Sequence, residues 1–151
     1  MPEATDKAKT AAPPRAKALP SPTPETQPYW DGAKAGELRI QRCLDEGGKA
    51  YFYPRPICPS CGSANVEWFT ASGDATLYSY VINHRMAPGF EEEGPYAIAV
   101  VQQAEGPRMM TNLVGVPNTP EALELDMPLK VTFQDRGAVS VPVFTPAEAT
   151  S

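Results

Sequence analysis

The turn Cys58-Pro59-Ser60-Cys61-Gly62 constrains the fold of this chain more than any other segment. Two cysteines separated by two residues bind a metal ion or form a redox pair. A third cysteine, Cys43, ends a run of alternating apolar and polar side chains, which is typical of a strand of a second hairpin. Gly62 can supply the positive φ that such metal-binding turns often need. The pattern predicts a zinc ribbon, in which one metal ion joins two hairpin turns.

The first of these turns, here called the first knuckle (residues 43–46), departs from the usual ligand pattern. Zinc ribbons take two ligands from each turn, but the position for the second cysteine is occupied by Glu46. Because a carboxylate oxygen also ligates zinc, Glu46 either completes a tetrahedron with Cys43, Cys58 and Cys61 or leaves a weakened or lost site. A catalytic zinc or a redox dithiol is the competing interpretation, but no supporting base lies nearby.

Before the ribbon, the chain has a tail and a short helix. Residues 1–27 are rich in proline and alanine and have no apolar periodicity, which predicts a disordered tail. Pro28 suits a first helical turn and Gly36 a helix end, so we expect a short helix within residues 28–37. The ribbon then occupies 38–70, with strands at 38–43, 49–53 and 66–70.

Residues 71–145 predict a small barrel. Alternating, β-branched and aromatic side chains mark five strands, at 76–83, 96–102, 108–114, 129–134 and 138–144. Only a short turn or helix near 119–123 interrupts them, which favours antiparallel pairing and an OB-type barrel. The fold class is therefore mainly β. Pro142 cannot donate a ladder hydrogen bond, so the last strand lies at an edge or carries a bulge, and we expect 146–151 to be flexible.

Composition and charge argue against two classes of partner. The formal net charge of −5 disfavours binding to a phosphate backbone, so we expect no nucleic-acid partner. No segment reaches the roughly 18 apolar residues that span a bilayer, and the N-terminus lacks the apolar run of a secretory signal. We therefore expect a cytoplasmic protein without a membrane partner.

Two segments carry further candidates for ligand or partner binding. His84, Arg85 and Phe90 lie between two predicted strands, where OB-type barrels present binding loops, and Arg85 suits a CoA phosphate or a partner carboxylate. Tyr53 and Arg55 precede the cysteine turn and are candidates of the same kind. The chain has one histidine, and no nucleophile adjoins it, so we assign no catalytic residue.

Seven segments together resemble a known family: Pro28-Tyr29-Trp30, Gln41-Arg42-Cys43, Tyr53-Pro54-Arg55-Pro56, the cysteine turn, Tyr78-Ser79-Tyr80, Pro95-Tyr96 and Asn112-Leu113-Val114-Gly115. In this order they resemble the acyl-CoA-associated zinc-ribbon/OB-fold proteins, long catalogued as a domain of unknown function, over residues 28–144. The resemblance implies an N-terminal helix, a rubredoxin-like zinc ribbon and a C-terminal OB barrel. The family has cysteine at the position of Glu46, so the departure concerns the metal and not the fold.

The resemblance also implies a function. Members assemble with thiolases, with thiolase-like aldolases of steroid side-chain breakdown or with hot-dog-fold hydratases, and they stabilise the complex or help to form the acyl-CoA site. We therefore expect a non-catalytic accessory subunit of a thiolase-superfamily acyl-CoA enzyme in lipid or steroid degradation, with zinc as cofactor and a CoA thioester as candidate ligand. The alternatives are a subunit of a hydratase complex, a stand-alone OB module for acyl-CoA or nucleic acid, and a metalloenzyme in its own right.

Overall fold

Eight strands and one α-helix form the regular structure of residues 17–147, the range that the computed structural model describes apart from Met86 and Glu93. In chain order the elements are α1 (Gln27–Lys34), β1 (Arg39–Cys43), a single 3-10 turn (Leu44–Glu46), β2 (Lys49–Tyr51), β3 (Val66–Thr70), β4 (Asp74–Asn83), β5 (Tyr96–Gln103), β6 (Arg108–Asn112), β7 (Pro128–Asp135) and β8 (Ser140–Pro146).

The strands form two antiparallel sheets. The ribbon sheet has the order β2-β1-β3, and the barrel sheet has the order β6-β5-β4-β7-β8. The barrel sheet nearly closes, because Leu113 forms a parallel bridge with Phe144 and the Thr111 hydroxyl donates to the Pro142 carbonyl at 3.4 Å. β8 is the last strand in the sheet order, so Pro142 lies on an edge strand, one of the two placements that the sequence predicts. The predicted ribbon and OB-type barrel are confirmed.

The helix packs its buried face, Tyr29 and Ala33, against the ribbon and the last two strands. Pro28 lies in its first turn, where a missing N–H costs nothing. Gly36 follows the helix with φ +78°, the left-handed conformation that ends helices. Lys34, near the helix end, donates to the Gly137 carbonyl and lies 3.7 Å from the Asp135 carboxylate, which fixes the helix against the β7–β8 turn.

One hydrophobic core joins the helix, the ribbon and the barrel. Alternate residues of β5, namely Ala97, Ala99 and Val101, point inward and are fully buried, as the period of two requires. Phe144 of β8 is also fully buried, and Leu38 and Ile40 of the ribbon belong to the same cluster. Because this cluster spans both sheets, the ribbon is held against the barrel by apolar packing as well as by the chain connection.

The described range includes part of the predicted tail and of the predicted flexible C-terminus. Residues 17–26 fall within the tail that the sequence predicts to be disordered, yet they make defined contacts: the Thr23 N–H donates to the Thr26 hydroxyl at 2.9 Å, and the Lys17 ammonium lies 4.3 Å from the centre of the Phe90 ring. At the other end β8 continues to Pro146, and the Ala147 N–H donates to Pro128 at 3.0 Å. Residues 1–16 and 148–151 lie outside the described range. No helix in that range is both long and apolar enough to cross a membrane.

Candidate metal centre and partner surface

The ribbon sheet brings the two cysteine turns together. β1 ends at Cys43, and the 3-10 turn that follows turns the chain so that Glu46 lies beside it. Gly47 then takes φ +69°, and the Gly48 N–H donates to the Cys43 carbonyl at 2.9 Å. In the second knuckle (residues 58–61) the Gly62 N–H closes the turn on the Cys58 carbonyl at 2.9 Å, with the positive φ expected for this glycine.

Four candidate ligand atoms converge between the knuckles. One atom each from Cys43, Glu46, Cys58 and Cys61 lies within 4.8 Å of the others. The Sγ atoms of Cys43 and Cys61 are 3.6 Å apart, and Cys58 Sγ is 3.5 Å from Glu46 Oε2. A tetrahedral zinc ion with ordinary bond lengths separates two sulfurs by about 3.8 Å and a sulfur from an oxygen by about 3.6 Å. The donor set and its spacing therefore fit zinc with Glu46 as fourth ligand.

The two thiols of the second knuckle differ in acidity. Backbone N–H groups of Cys61 and Ser60 stabilise the thiolate of Cys58 and lower its pKa, and the Ser60 N–H lies 3.4 Å from its sulfur. The Ser63 N–H lowers the pKa of Cys61, but desolvation and the neighbouring sulfurs of Cys43 and Cys58 outweigh it and raise the pKa to about 11. Of these two thiols, Cys58 is therefore the one that loses its proton more easily when a cation approaches.

Polar contacts tie the knuckles together independently of any metal. Asp45 accepts a hydrogen bond from the Ser63 hydroxyl and another from the Asn65 amide at 2.9 Å, and these bonds lower the pKa of its carboxyl. The Leu44 N–H donates to the Asn65 carbonyl at 2.9 Å. The first knuckle is therefore held in register with the start of β3 by its own side chains and backbone.

An apolar groove of about 260 Å³ lies where the helix, the ribbon and the barrel meet. The ribbon wall of the groove is the segment Phe52-Tyr53-Pro54. Two hydrogen bonds fix that segment: the Arg55 N–H donates to the buried Gln41 side chain at 2.7 Å, and the Tyr51 hydroxyl donates to the Arg55 carbonyl at 2.9 Å. The other walls are Thr26, Tyr29, Trp30, Met109, Met110, Val141 and Pro142.

The outer side of β4, β5 and β6 forms a second apolar surface, the barrel face (Tyr78, Val81, Val100, Arg108 and Met110). Val100 pairs across the sheet with Met110 and, on the other side, with Ser79. Val81 and Met110 are 59% and 60% exposed. An irregularity of pairing between Leu77 and Ser79 leaves Tyr78 exposed, and the Arg108 guanidinium lies 3.7 Å from the centre of its ring.

The other predicted binding residues fall into two groups. Tyr53 is 52% exposed and lines the groove, whereas the Arg55 side chain is exposed and its backbone positions the groove wall. His84 and Arg85 are exposed and directly follow β4, in the connection to β5. Phe90 lies in the same connection, and its ring stacks on that of Tyr96, the first residue of β5, with 4.5 Å between the ring centres. No hydrogen bond or ring contact joins the two groups among the residues described.

Several groove and face residues are absent from the sequence prediction. Met110 and Val81 could have been found from the alternation of side chains along a strand. Apolar residues at the outward positions of neighbouring strands indicate an exposed apolar face that includes both of them. Trp30 belongs to the segment Pro28-Tyr29-Trp30, but the sequence does not indicate that its side chain lines a groove. Tyr78 is exposed through an irregularity in strand pairing, which no residue pattern marks. Gln41 is buried although polar, and its role depends on a contact 14 residues away.

The fold and the ligand cluster place the chain in the class of zinc-ribbon/OB-fold proteins. Two domain profiles match consecutively: the rubredoxin-like zinc ribbon domain of ChsH2 over residues 30–67, and the C-terminal OB-fold domain of ChsH2 over residues 68–134. The chain belongs to this ChsH2 zinc-ribbon/OB-fold family, also called DUF35.

Solved and curated relatives agree with this assignment. A chain in the structure of an Ltp2-ChsH2(DUF35) aldolase has 34% identity and a TM-score of 0.73, over 85% of this chain and 98% of that one. A 3-oxo-4,17-pregnadiene-20-carboxyl-CoA hydratase alpha subunit of Mycobacterium tuberculosis is 36% identical over 81% of this chain and 38% of its own length. A DUF35 domain-containing scaffold protein of Pyrococcus furiosus is 39% identical over 54% of this chain and 62% of its own. The chain thus spans less than two thirds of either curated relative.

Proposed function

We propose that this chain is a non-catalytic accessory subunit of an aldolase of the thiolase superfamily that acts on acyl-CoA in lipid or steroid degradation. The observation that carries the proposal is the likeness, at a TM-score of 0.73 and 34% identity, to 98% of a chain of the Ltp2-ChsH2(DUF35) aldolase. The name scaffold protein of the Pyrococcus relative supports a structural role. A cytoplasmic location belongs to the same proposal.

The site chemistry supports an accessory role. The chain has one histidine, His84, which is exposed, and its side chain has no hydrogen-bonded carboxylate or nucleophile among the described residues. The three cysteines converge on one cluster with Glu46, where the fit is to a four-ligand structural zinc and leaves no open position for substrate. Bound there, zinc supplies a link between the two knuckles, and the four side chains hold it.

The barrel face is the surface that we assign to the enzyme subunit. Tyr, Arg and Met are enriched in the cores of protein interfaces, and the face combines Tyr78, Arg108 and Met110 with the exposed Val81. The stacking of Arg108 on Tyr78 orders both side chains before binding, so less conformational entropy is lost on docking.

The groove is the part of the surface that we assign to the acyl chain. Its lining is mainly apolar and aromatic, and its mouth carries the exposed side chains of Tyr53 and Met110. Met110 also belongs to the barrel face, so an enzyme subunit docked on that face borders the groove. An acyl group held in the groove would then be shared between the two polypeptides.

The docking proposal is tested with a thiolase-like aldolase polypeptide as the candidate partner. Size-exclusion chromatography with light scattering measures the complex, and retro-aldol turnover is measured with and without this chain. We expect Val81→Lys to weaken the complex at least about tenfold, because a charge is desolvated in an apolar interface. Leu125→Lys is the matched control, since Leu125 is 61% exposed on the β6–β7 connection. Absence of a complex with the wild-type chain, or equal effects of both variants, would refute the proposal.

The acyl-CoA proposal has a separate test. Calorimetric titration compares an acyl-CoA with free CoA on the isolated chain and on the complex, and Trp30 fluorescence in a Trp68→Phe background reports on the groove. We expect Met110→Glu to weaken acyl-CoA binding and Leu125→Glu to leave it unchanged. Equal affinity for acyl-CoA and free CoA would contradict the groove assignment without affecting the docking result.

A hydratase complex is the second candidate. The observation that favours it is the 36% identity, over 81% of this chain, to the hydratase alpha subunit of Mycobacterium tuberculosis. The same chromatography with a hot-dog-fold polypeptide in place of the thiolase-like one separates the two candidates, because only the true partner comigrates and changes its turnover.

A further inference from the structure

The four side chains of the metal cluster sort into two pairs, and each pair joins the first knuckle to the second. Cys43 Sγ lies 3.6 Å from Cys61 Sγ, and Glu46 Oε2 lies 3.5 Å from Cys58 Sγ. Only the first pair consists of two thiols. Cys43 could form a cross-knuckle disulfide with Cys61 or with Cys58, whose sulfur lies within 4.8 Å of it. The 3.6 Å separation of the Cys43 and Cys61 sulfurs and the exposure of Cys61 favour the first of these bonds.

The members of this thiol pair differ in exposure. Cys61 is exposed, whereas Cys43 and Cys58 are buried. An oxidant in solvent therefore reaches Cys61 first, and the buried thiol of the opposite knuckle lies in contact with it. The exposed Cys61 is therefore oxidised first, and the buried Cys43 then reacts with it to form the disulfide.

We propose that hydrogen peroxide converts Cys43 and Cys61 into a disulfide that replaces the metal as the link between the two knuckles. The ribbon then has two folded forms, one reduced and metal-bound and one oxidised and metal-free. The inference goes beyond the accessory function, and it holds whichever enzyme subunit the chain binds.

The chemistry balances with one peroxide per disulfide. Cys61 reacts in the deprotonated form that metal ligation requires: its sulfur attacks a peroxide oxygen, so that an S–O bond forms, the O–O bond breaks, and hydroxide leaves and is protonated to water. The thiolate of Cys43 then attacks the sulfur of Cys61, so that the S–S bond forms, the S–O bond breaks, and a second hydroxide leaves and becomes water. The two sulfurs lose two electrons, and the peroxide gains them.

The position of the new bond explains why the ribbon keeps its fold. A bond between Cys43 and Cys61 joins the same two turns that a metal ion joins. A bond between Cys58 and Cys61 would lie within one knuckle and leave the first knuckle without a covalent link. A bond between Cys43 and Cys58 would join the knuckles, and the fragment spectra described below distinguish it from the proposed bond. The backbone bond from Leu44 to Asn65 and the contacts of Asp45 with Ser63 and Asn65 already hold the knuckles in register, so the bond closes with little rearrangement.

The test uses the full chain loaded with zinc and titrated with hydrogen peroxide. Released zinc is measured with a colorimetric chelator, far-UV circular dichroism follows the fold, and tryptic peptides are mapped by mass spectrometry without reduction. Trypsin separates residues 43–49 from residues 50–85, because it cleaves after Arg42, Lys49 and Arg85, and Arg55 precedes a proline. A disulfide from Cys43 to Cys61 therefore joins two peptides, whereas one from Cys58 to Cys61 leaves 43–49 free.

We expect the linked peptide pair, with fragment spectra that place the bond on Cys61, release of zinc in step with it, and an unchanged dichroism spectrum. Any of three results would overturn the proposal. These are a free 43–49 peptide, oxidation of Cys61 to the sulfinic acid without any disulfide, and loss of the β-sheet signal on oxidation. Glu46→Cys is the second variant, because it retains four ligands and so its fold. We expect this variant to form an additional cross-knuckle disulfide between position 46 and Cys58. A disulfide within either knuckle, from Cys43 to position 46 or from Cys58 to Cys61, would also overturn the pairing.

Discussion

Replacement of Glu46 by alanine tests whether the carboxylate is a metal ligand. Structural zinc sites bind with about 10–16 kcal/mol in total, which is about 2.5–4 kcal/mol for each of four ligands. Water occupies the vacated position and recovers part of this energy, so we expect a loss of about 2–3 kcal/mol. Since each 1.4 kcal/mol is about tenfold in affinity, the zinc Kd should rise roughly 30- to 150-fold.

The measurement is a competition titration of zinc between the chain and a chelating indicator, at fixed pH because thiol ligands must lose protons to bind. Glu121→Ala is the matched control, since Glu121 is an exposed glutamate on the β6–β7 connection. Glu46→Cys completes the four-cysteine set and should lower the Kd, because thiolate sulfur is the softer ligand for zinc.

The position of Glu46 makes the result decisive. Its Oε2 lies 3.5 Å from Cys58 Sγ, the separation expected of two ligands on one zinc ion. If Glu46→Ala binds zinc within about twofold of the wild-type chain, water already supplies the fourth ligand. The reasoning that links the 3.5 Å separation to ligation would then be refuted.

Three further substitutions test the fold. Burial raises the pKa of Tyr29, so the stability that its neutral form contributes is present below about pH 10 and is lost as the pH rises above it. Tyr29→Phe should therefore reduce the loss of unfolding free energy above about pH 10, measured by denaturation at a series of pH values. Gly73→Ala should cost about 2–4 kcal/mol in urea denaturation, because φ is +83° and the added Cβ would lie 2.5 Å from Val131 Cγ1, and Val131→Ala in the same chain should recover part of the loss. Gln103→Leu should stabilise the chain by about 1–3 kcal/mol, because both side-chain polar atoms of Gln103 are buried and have no hydrogen-bond partner within the described part of the chain. A destabilised variant would show that this amide has a partner.

The alternation of side chains predicted β5 and β6 well, because these strands bury alternate residues. Ala97, Ala99 and Val101 alternate with half-buried neighbours, and the resulting period of two is visible in the sequence. In β8, by contrast, the consecutive residues Val143 and Phe144 are both buried, so this strand has no period of two. Boundaries were less accurate at β8, which continues through Pro146, because an edge strand tolerates proline where no ladder donor is needed. The composition of the tail does not indicate the contact of Lys17 with Phe90, because these two residues are far apart in sequence.

The metal cluster could be predicted because its spacing is local and its chemistry is specific. Cys58 and Cys61 belong to one turn, and the strand pattern leading to Cys43 located the other turn. The groove could not be predicted, because it depends on three elements that meet only in the folded chain. Trp30 comes from the helix, Tyr53 from the ribbon and Met110 from the barrel, and no periodicity relates them.

The position of the groove wall connects the metal cluster to the proposed function. Phe52, Tyr53 and Pro54 lie between the β1–β2 pairing that ends at Tyr51 and the candidate metal ligand Cys58. The Gln41–Arg55 hydrogen bond holds the middle of this segment against β1. A metal ion on Cys58 therefore restrains the far end of the wall, only four residues beyond Pro54, without touching anything that the groove contains. In the proposed function, the ribbon would keep one wall in place before an acyl group arrives, which would reduce the entropy lost on binding.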